Sequence, residues 1–153
     1  MADTPFPDSP SLGVLLRLAH QQFSQGVDEA LAEAGFDDIR PHHASVFTFV
    51  SDKGMQVSEL AEKAHVRKQS MAQTVEELET LGYVARLAHP TDKRARLVFL
   101  TERGKKIRPL AMKSGKRIEE EWLQLVGVND LKTVRSALEK ILAGLAVESK
   151  AEK

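Results

Sequence analysis

The 153-residue sequence holds no cysteine. That excludes a disulfide framework, thiolate-bound zinc, iron–sulfur clusters and thiol redox sensing. Long apolar runs are missing too: no uninterrupted stretch approaches the ~20 residues that a membrane-spanning helix needs. The opening residues, Met1 to Pro10, offer neither a basic n-region nor an apolar h-region, which predicts no secretory leader and a cytoplasmic protein. There is no glycine-rich phosphate loop, no nucleophile elbow and no His-Glu-x-x-His. Glu76, Glu77 and Glu79, and the run Glu119 to Glu121, fall on helix faces where solvation accounts for them. The expectation is no enzyme, no catalytic residue and no cofactor.

Net charge is absent only on average, with 22 Lys and Arg against 22 Asp and Glu. Residues 1–85 carry 6 basic and 13 acidic side chains, residues 86–117 carry 11 and 2, and residues 118–153 carry 5 and 7. A 32-residue block of net charge +9 therefore sits inside a neutral chain. Such a block fits a polyanion contact and a solvated surface equally well. The composition, 42% hydrophobic and 29% charged, fits a globular domain. A chain of this length buries roughly two thirds of its unfolded surface.

Helical periods dominate. Ser9 and Pro10 read as an N-cap and a first helical residue. Leu12, Leu15, Leu16, Ala19, Phe23, Val27, Leu31 and Ala34 then recur at helical steps, predicting a helix over about 10–34 that Gly35 stops. A second helix starts near Pro41, turns Val46, Phe47 and Val50 inward, and closes at Ser51–Gly54. Val57, Leu60, Ala61 and Ala64 predict a third, and Met71, Val75 and Leu78 a fourth over 68–81 ended by Gly82. The period then changes. Tyr83–Leu87 and Leu97–Leu100 read as strands joined by the polar segment His89–Arg96. Thr101 caps a helix over 102–126, which Pro109 is expected to kink. Beyond Gly127 and a cap at Asn129, the residues Leu131, Val134, Leu138, Ile141 and Leu145 form a coiled-coil-like seam. Residues 149–153 are expected to fray. The first helix and the seam carry more apolar stripe than one small domain covers, which predicts a second copy of the chain.

Helix, helix, turn, helix and hairpin in this order make a winged helix-turn-helix. The polar face of the 68–81 helix carries Lys68, Gln69, Ser70, Gln73 and Thr74 near its N-terminal end. A recognition helix sets that end against the bases of the major groove. Gln bonds an adenine edge in two places, and Ser or Thr bonds several bases. An ordinary solvated helix face explains the same residues taken alone. The hairpin adds Asp92, Lys93, Arg94 and Arg96 at or just after its tip, flanked by Arg86 and His89. An arginine on a protruding wing can enter a narrow minor groove. Asp92 would repel phosphate, so its expected role is structural, pairing with Arg94 or Arg96 to hold the wing's shape.

Val57–Ala64, Val66–Tyr83 and above all Asp92-Lys93-Arg94-Ala95-Arg96-Leu97-Val98-Phe99-Leu100-Thr101-Glu102-Arg103-Gly104 resemble the MarR (multiple antibiotic resistance regulator) family. The Asp-x-Arg-x-Arg wing followed by Leu-Thr-x-x-Gly is that family's hallmark. The resemblance implies a mainly α fold with a small β-hairpin. Residues 37–101 would form the winged DNA-binding domain, and 1–36 with 102–153 a helical dimerisation region, in one intertwined unit. It implies a homodimeric transcriptional regulator, commonly a repressor, on a pseudo-palindromic double-stranded DNA operator, released by a small phenolic or anionic effector. By position, Gln69, Ser70, Gln73 and Thr74 become base readers, and Arg94 the minor-groove arginine. Asp92 and Arg96 become wing-shaping residues, and Lys68, Arg86 and Lys93 phosphate contacts. Most of the run Arg103, Lys105, Lys106 and Arg108 is expected to face solvent.

The five histidines show no zinc spacing. His42 and His43 are adjacent, and on an α-helix they would point about 100° apart, so no metal is expected. His20 and His43, with Phe23 and Phe47 as apolar walls, are candidates for lining an effector cleft, where imidazole would bond a carboxylate or phenol. Pro109 is a candidate flexible point between wing and dimer region. The rival reading is a winged-helix module that binds protein without DNA sequence specificity.

Overall fold

A computed structural model describes residues 10–151 of the chain. Helix α1 spans Leu12–Glu33, the turn Pro41–His43 is 3-10, and α2 (Ala44–Phe49), α3 (Val57–Ala64) and α4 (Lys68–Thr80) follow. Strands β1 (Val84–Ala88) and β2 (Arg96–Leu100) precede α5 (Glu102–Lys105), α6 (Ile107–Val126) and α7 (Val128–Ala151). The fold is thus mainly α with one small hairpin, in the order the periodicity predicts.

The departures have local causes. Ser9, the expected first cap, lies outside the described residues. Ser11 caps α1 instead, its Oγ accepting from the Val14 N–H at 3.4 Å. The expected 102–126 helix is broken at Lys106, upstream of Pro109. A continuous helix would drive the proline ring into the carbonyl four residues back, that of Lys105. The break puts Pro109 in the first turn of α6, where a missing N–H costs nothing. α7 begins at Val128, one residue ahead of the expected cap, and runs on to Ala151 through the segment expected to fray, while residues 152 and 153 lie outside the described ones.

β1 and β2 pair antiparallel, with Val84 opposite Leu100 and Ala88 opposite Arg96. A third extended residue, which periodicity gave no sign of, joins the far edge of β2. Met55 exchanges both backbone bonds with Val98, at 3.1 and 2.8 Å. Gly54 makes this approach feasible: a Cβ there would lie 2.5 Å from the Phe99 ring. The bridge ties the start of α3 to the wing.

The chain divides into two compact units, residues 1–115 and 116–153. In the first, Leu31 of α1, Val46, Phe47, Leu60, Met71, Val75, Leu78, Tyr83, Val98 and Ile107 form one buried cluster. Full burial of each such side chain is worth about 1.5–3 kcal/mol. In the second, the Arg135 guanidinium on α7 bonds the Glu119 carboxylate on α6. No helix among the described residues is long and apolar enough to cross a membrane.

Candidate nucleic-acid interface

α3 and α4 are set by their ends. Gln56 donates its N–H to the Glu59 carboxylate at 2.9 Å at the start of α3. At its end, His65 takes a left-handed conformation (φ 53°) and the Val66 N–H reaches back to the Ala61 carbonyl at 3.0 Å. This sharp stop frees the chain to start α4 two residues later. Arg67 occupies the cap position of α4 and makes no side-chain cap bond, since guanidinium has no acceptor. The first N–H groups of α4 and its positive dipole end are left open for an anion. Arg67 adds its own charge there, a contribution that the base-reading pattern of the sequence passed over.

α4 buries Met71, Val75 and Leu78 and exposes Lys68, Gln69, Ser70 and Gln73. Thr74 departs from the expected base-reading set. It is buried, and its hydroxyl donates to the Ser70 carbonyl at 3.0 Å. The signal was available: 71, 74, 75 and 78 are the core repeat of one helix face.

Further along α4, Glu77 anchors the helix to the segment before α2. His42 Nε2 and His43 Nε2 lie 2.6 and 3.0 Å from Glu77 Oε2. The two rings converge on Glu77, 4.2 Å between centroids, although they are adjacent on the 3-10 turn. His43 is 2% exposed, and its Nδ1 accepts the Arg40 N–H at 3.0 Å. A neutral ring must then carry its proton on Nε2 and donate it to Glu77. These three groups form a hydrogen-bonded clasp. Burial is the largest influence on His43 and lowers its pKa below the ordinary imidazole value, against the pull of Glu77. The bonds from His42 and His43 hold the Glu77 carboxyl below the usual range.

The wing grows from a second clasp. Thr101 Oγ1 donates to the Gly82 carbonyl at 2.6 Å and accepts the Gly104 N–H at 3.1 Å. Gly104 lies so close to Tyr83 that a Cβ would sit 2.1 Å from the Tyr83 carbonyl oxygen. The Tyr83 hydroxyl donates to Asp38, whose other oxygen accepts from Arg103 at 3.0 Å. Arg103 also bonds the Leu81 carbonyl at 2.7 Å and stacks 4.3 Å from the Tyr83 ring centroid. Burial opposes the Asp38 charge, but Tyr83 and Arg103 outweigh it and lower its pKa. Burial, then Asp38, push the Tyr83 phenol up to about 12. The Leu-Thr-x-x-Gly run is therefore the hinge pin that fixes the wing to the body.

Other basic residues are consumed in the same way. Arg86 grips Glu79 with two bonds, 2.9 and 3.2 Å, so its charge is balanced in the free protein. Arg108, in a run expected mostly to face solvent, is half-buried and donates to the Phe47 and Val50 carbonyls at 2.9 and 2.6 Å. It closes the C-terminal end of α2, where a cation also complements the helix dipole. Lys93, Arg94 and Arg96 are exposed, and among the described residues no carboxylate pairs with Lys93 or Arg94. Asp92 makes a different bond from the expected arginine pair: its Oδ1 accepts the Arg94 backbone N–H at 3.0 Å.

The four effector candidates are not alike. His20 is exposed on α1 beside Ser24, and Phe23 is half-buried with its ring against Gly115. His43 and Phe47 are both inside, in the Glu77 clasp and the main core. A groove of about 590 Å³ beside α4 does include His43, together with Arg40, Gln73 and Glu76, but none of the other three.

A sequence model of the MarR family matches residues 37–95. The transcriptional regulator HosA of Escherichia coli O111:H- is 33% identical over 87 residues, covering 57% of this chain and 64% of HosA, just under two thirds of that relative's length. The HTH-type transcriptional regulator Mb0904 of Mycobacterium bovis is 31% identical over 104 residues, 65% of this chain and 70% of that protein. A crystal structure of MarR shares the fold with a TM-score of 0.75 at 23% identity, over 98% of this chain and all of that one. With the family's wing motif spanning the hairpin and the relatives all regulators, the chain belongs to the MarR family of winged helix-turn-helix transcriptional regulators.

Proposed function

We propose that this chain is a sequence-specific regulator that binds a pseudo-palindromic operator as a homodimer, acts as a repressor in the cytoplasm, and is released by a small phenolic or anionic effector. The observation that carries the reading is the open N-terminal end of α4. Lys68, Gln69, Ser70 and Gln73 are exposed there on a helix whose opposite face is locked into the core. Gln69, Ser70 and Gln73 are the base readers, and Lys68 and Lys93 neutralise phosphate. Arg94 enters the minor groove, and Arg86 joins the phosphate contacts by exchanging Glu79 for DNA.

Apolar exposure supports the dimer. Leu12, Leu15 and Leu16 on α1 are 66%, 41% and 43% exposed, and Val134, Ile141 and Leu145 of the α7 seam are 53%, 51% and 56% exposed. A second copy is the occupant that a 3-4-3-4 seam fits. In this assignment residues 1–36 and 102–153 dimerise and 37–101 bind DNA. Two recognition helices about 34 Å apart then meet successive major grooves. An effector works only through its difference in affinity between dimer geometries. His20, Phe23, His43 and Phe47 remain the assigned lining, which requires the liganded state to uncover His43 and Phe47.

The test is selection of duplexes from a randomised library by the full chain, followed by affinity against salt. A DNA regulator enriches an inverted repeat, and log affinity falls with log salt at a slope near −0.9 per phosphate contact. A protein-binding winged module enriches no sequence. A monomer in sedimentation that nonetheless selects a site overturns the dimer. Unchanged affinity across a panel of simple phenolic carboxylates overturns the effector.

A further inference from the structure

The wing tip holds a histidine that the DNA reading leaves without a role. We propose that His89 is a positioning residue: its Nδ1 acts as the acceptor that folds the tip and thereby presents Arg94. The proposal rests on the reading of Arg94 as a DNA contact. Nδ1 lies 3.2 Å from the Thr91 N–H, 3.2 Å from the Asp92 N–H and 3.3 Å from the Thr91 hydroxyl. Backbone N–H groups only donate, so Nδ1 must keep its lone pair, and a neutral ring then has its proton on Nε2. Pro90, between them, has no N–H to compete.

The neighbouring bonds show what this acceptor does. The His89 N–H closes the loop on the Ala95 carbonyl at 3.0 Å, and the Ala95 N–H returns to the Asp92 carbonyl at 3.1 Å. With the Asp92 carboxylate taking the Arg94 N–H, the donors of residues 91, 92, 94 and 95 are all satisfied within the tip. His89 and Asp92 are the two side-chain acceptors in this set. His89 orients Asp92, and Asp92 orients Arg94. The arrangement is that of an Asx-turn, in which a side-chain acceptor bonds an N–H two residues on. The Nδ1 of His and the Oδ1 of Asn are both bonded directly to Cγ, so Asn reproduces the acceptor without the ring.

The experiment compares the full-length protein with Arg94→Ala, His89→Ala, His89→Asn and the double variant on one selected duplex. Arg94→Ala is expected to weaken binding by roughly 5- to 150-fold. His89→Ala is expected to weaken it about three- to tenfold, and His89→Asn to stay within about twofold of the parent. In the Arg94→Ala background, His89→Ala is expected to cost almost nothing further, because it acts through Arg94. Wild-type affinity in His89→Ala, failure of Asn to rescue, or additive losses overturn the proposal; failed rescue assigns the ring to DNA itself. Unchanged affinity in Arg94→Ala overturns the wing reading instead. The ring tautomer, read from nitrogen NMR shifts without DNA, then decides His89 alone: a proton on Nε2 sustains the assignment, and one on Nδ1 overturns it.

Discussion

Arg86, Arg103 and Arg108 around the base of the wing, and Lys93 and Arg94 at its tip, come from one basic block of the sequence. At the base every guanidinium has internal work: Arg86 on Glu79, Arg103 on Asp38 and the Leu81 carbonyl, Arg108 on two carbonyls at the end of α2. At the tip the loop is ordered by backbone N–H groups bonded to carbonyls and to the side chains of His89 and Asp92, and the charged ends of Lys93 and Arg94 are exposed. The contrast shows that a net charge of +9 over 32 residues overstates the charge on offer to a partner. A cation bound to a carbonyl or carboxylate holds the fold. A cation left in water exchanges its counterions for phosphate directly, whereas one already paired, such as Arg86, must first give up its partner.

Changes at the base should damage the fold, and changes at the tip should damage DNA binding alone. The largest effect is expected for Gly104→Ala, whose new methyl would meet the Tyr83 carbonyl oxygen at 2.1 Å. A loss of about 3 kcal/mol or more in urea unfolding is expected, with DNA binding falling alongside. Arg108→Ala strips the Phe47 and Val50 carbonyls of their donor and should lower unfolding free energy by about 1–3 kcal/mol. Arg94→Ala sharpens the comparison from the other side. Unfolding should change by less than about 0.5 kcal/mol, while binding to a selected duplex loses about 1–3 kcal/mol. Equal unfolding losses in the two arginine variants would erase the distinction between base and tip.

A smaller effect concerns pH. Burial lowers the folded pKa of His43 below the ordinary value of about 6.5, so the unfolded chain takes up the proton first on acidification. The stability linked to this group is present above about pH 6.5 and is lost as pH falls through the lowered folded value. Melting temperature should drop by a few degrees between about pH 7.5 and 5.5. His43→Asn, which keeps an acceptor for the Arg40 N–H, should flatten that slope. The smallest expected effect is Asp92→Asn: the acceptor for the Arg94 N–H survives, so affinity should move by less than about threefold, whereas Asp92→Ala should lose more.

Parts of the interface were legible residue by residue. Met71, Val75 and Leu78 announce α4, and the change of period after Gly82 announces the wing. Thr74 is polar yet buried, because its place in the core repeat of α4 outweighs its hydroxyl, which bonds the Ser70 carbonyl. The Asp92 bond differs from the expected arginine pair, since a short acid beside a turn reaches backbone more easily than an arginine head. The two clasps were not legible. His43 meets Glu77 across 34 residues, and Arg103 meets Asp38 across 65. No local period encodes such pairings.

The sequence by itself determined the order of helices and strands and which residues crowd α4 and the wing, because hydrophobic spacing and turn chemistry act over a few residues. Only the tertiary structure decided which of the eleven basic side chains of the block are left to meet a partner. That choice depends on which carbonyls and carboxylates folding brings within about 3 Å of each of them, and those partners are distant in the chain.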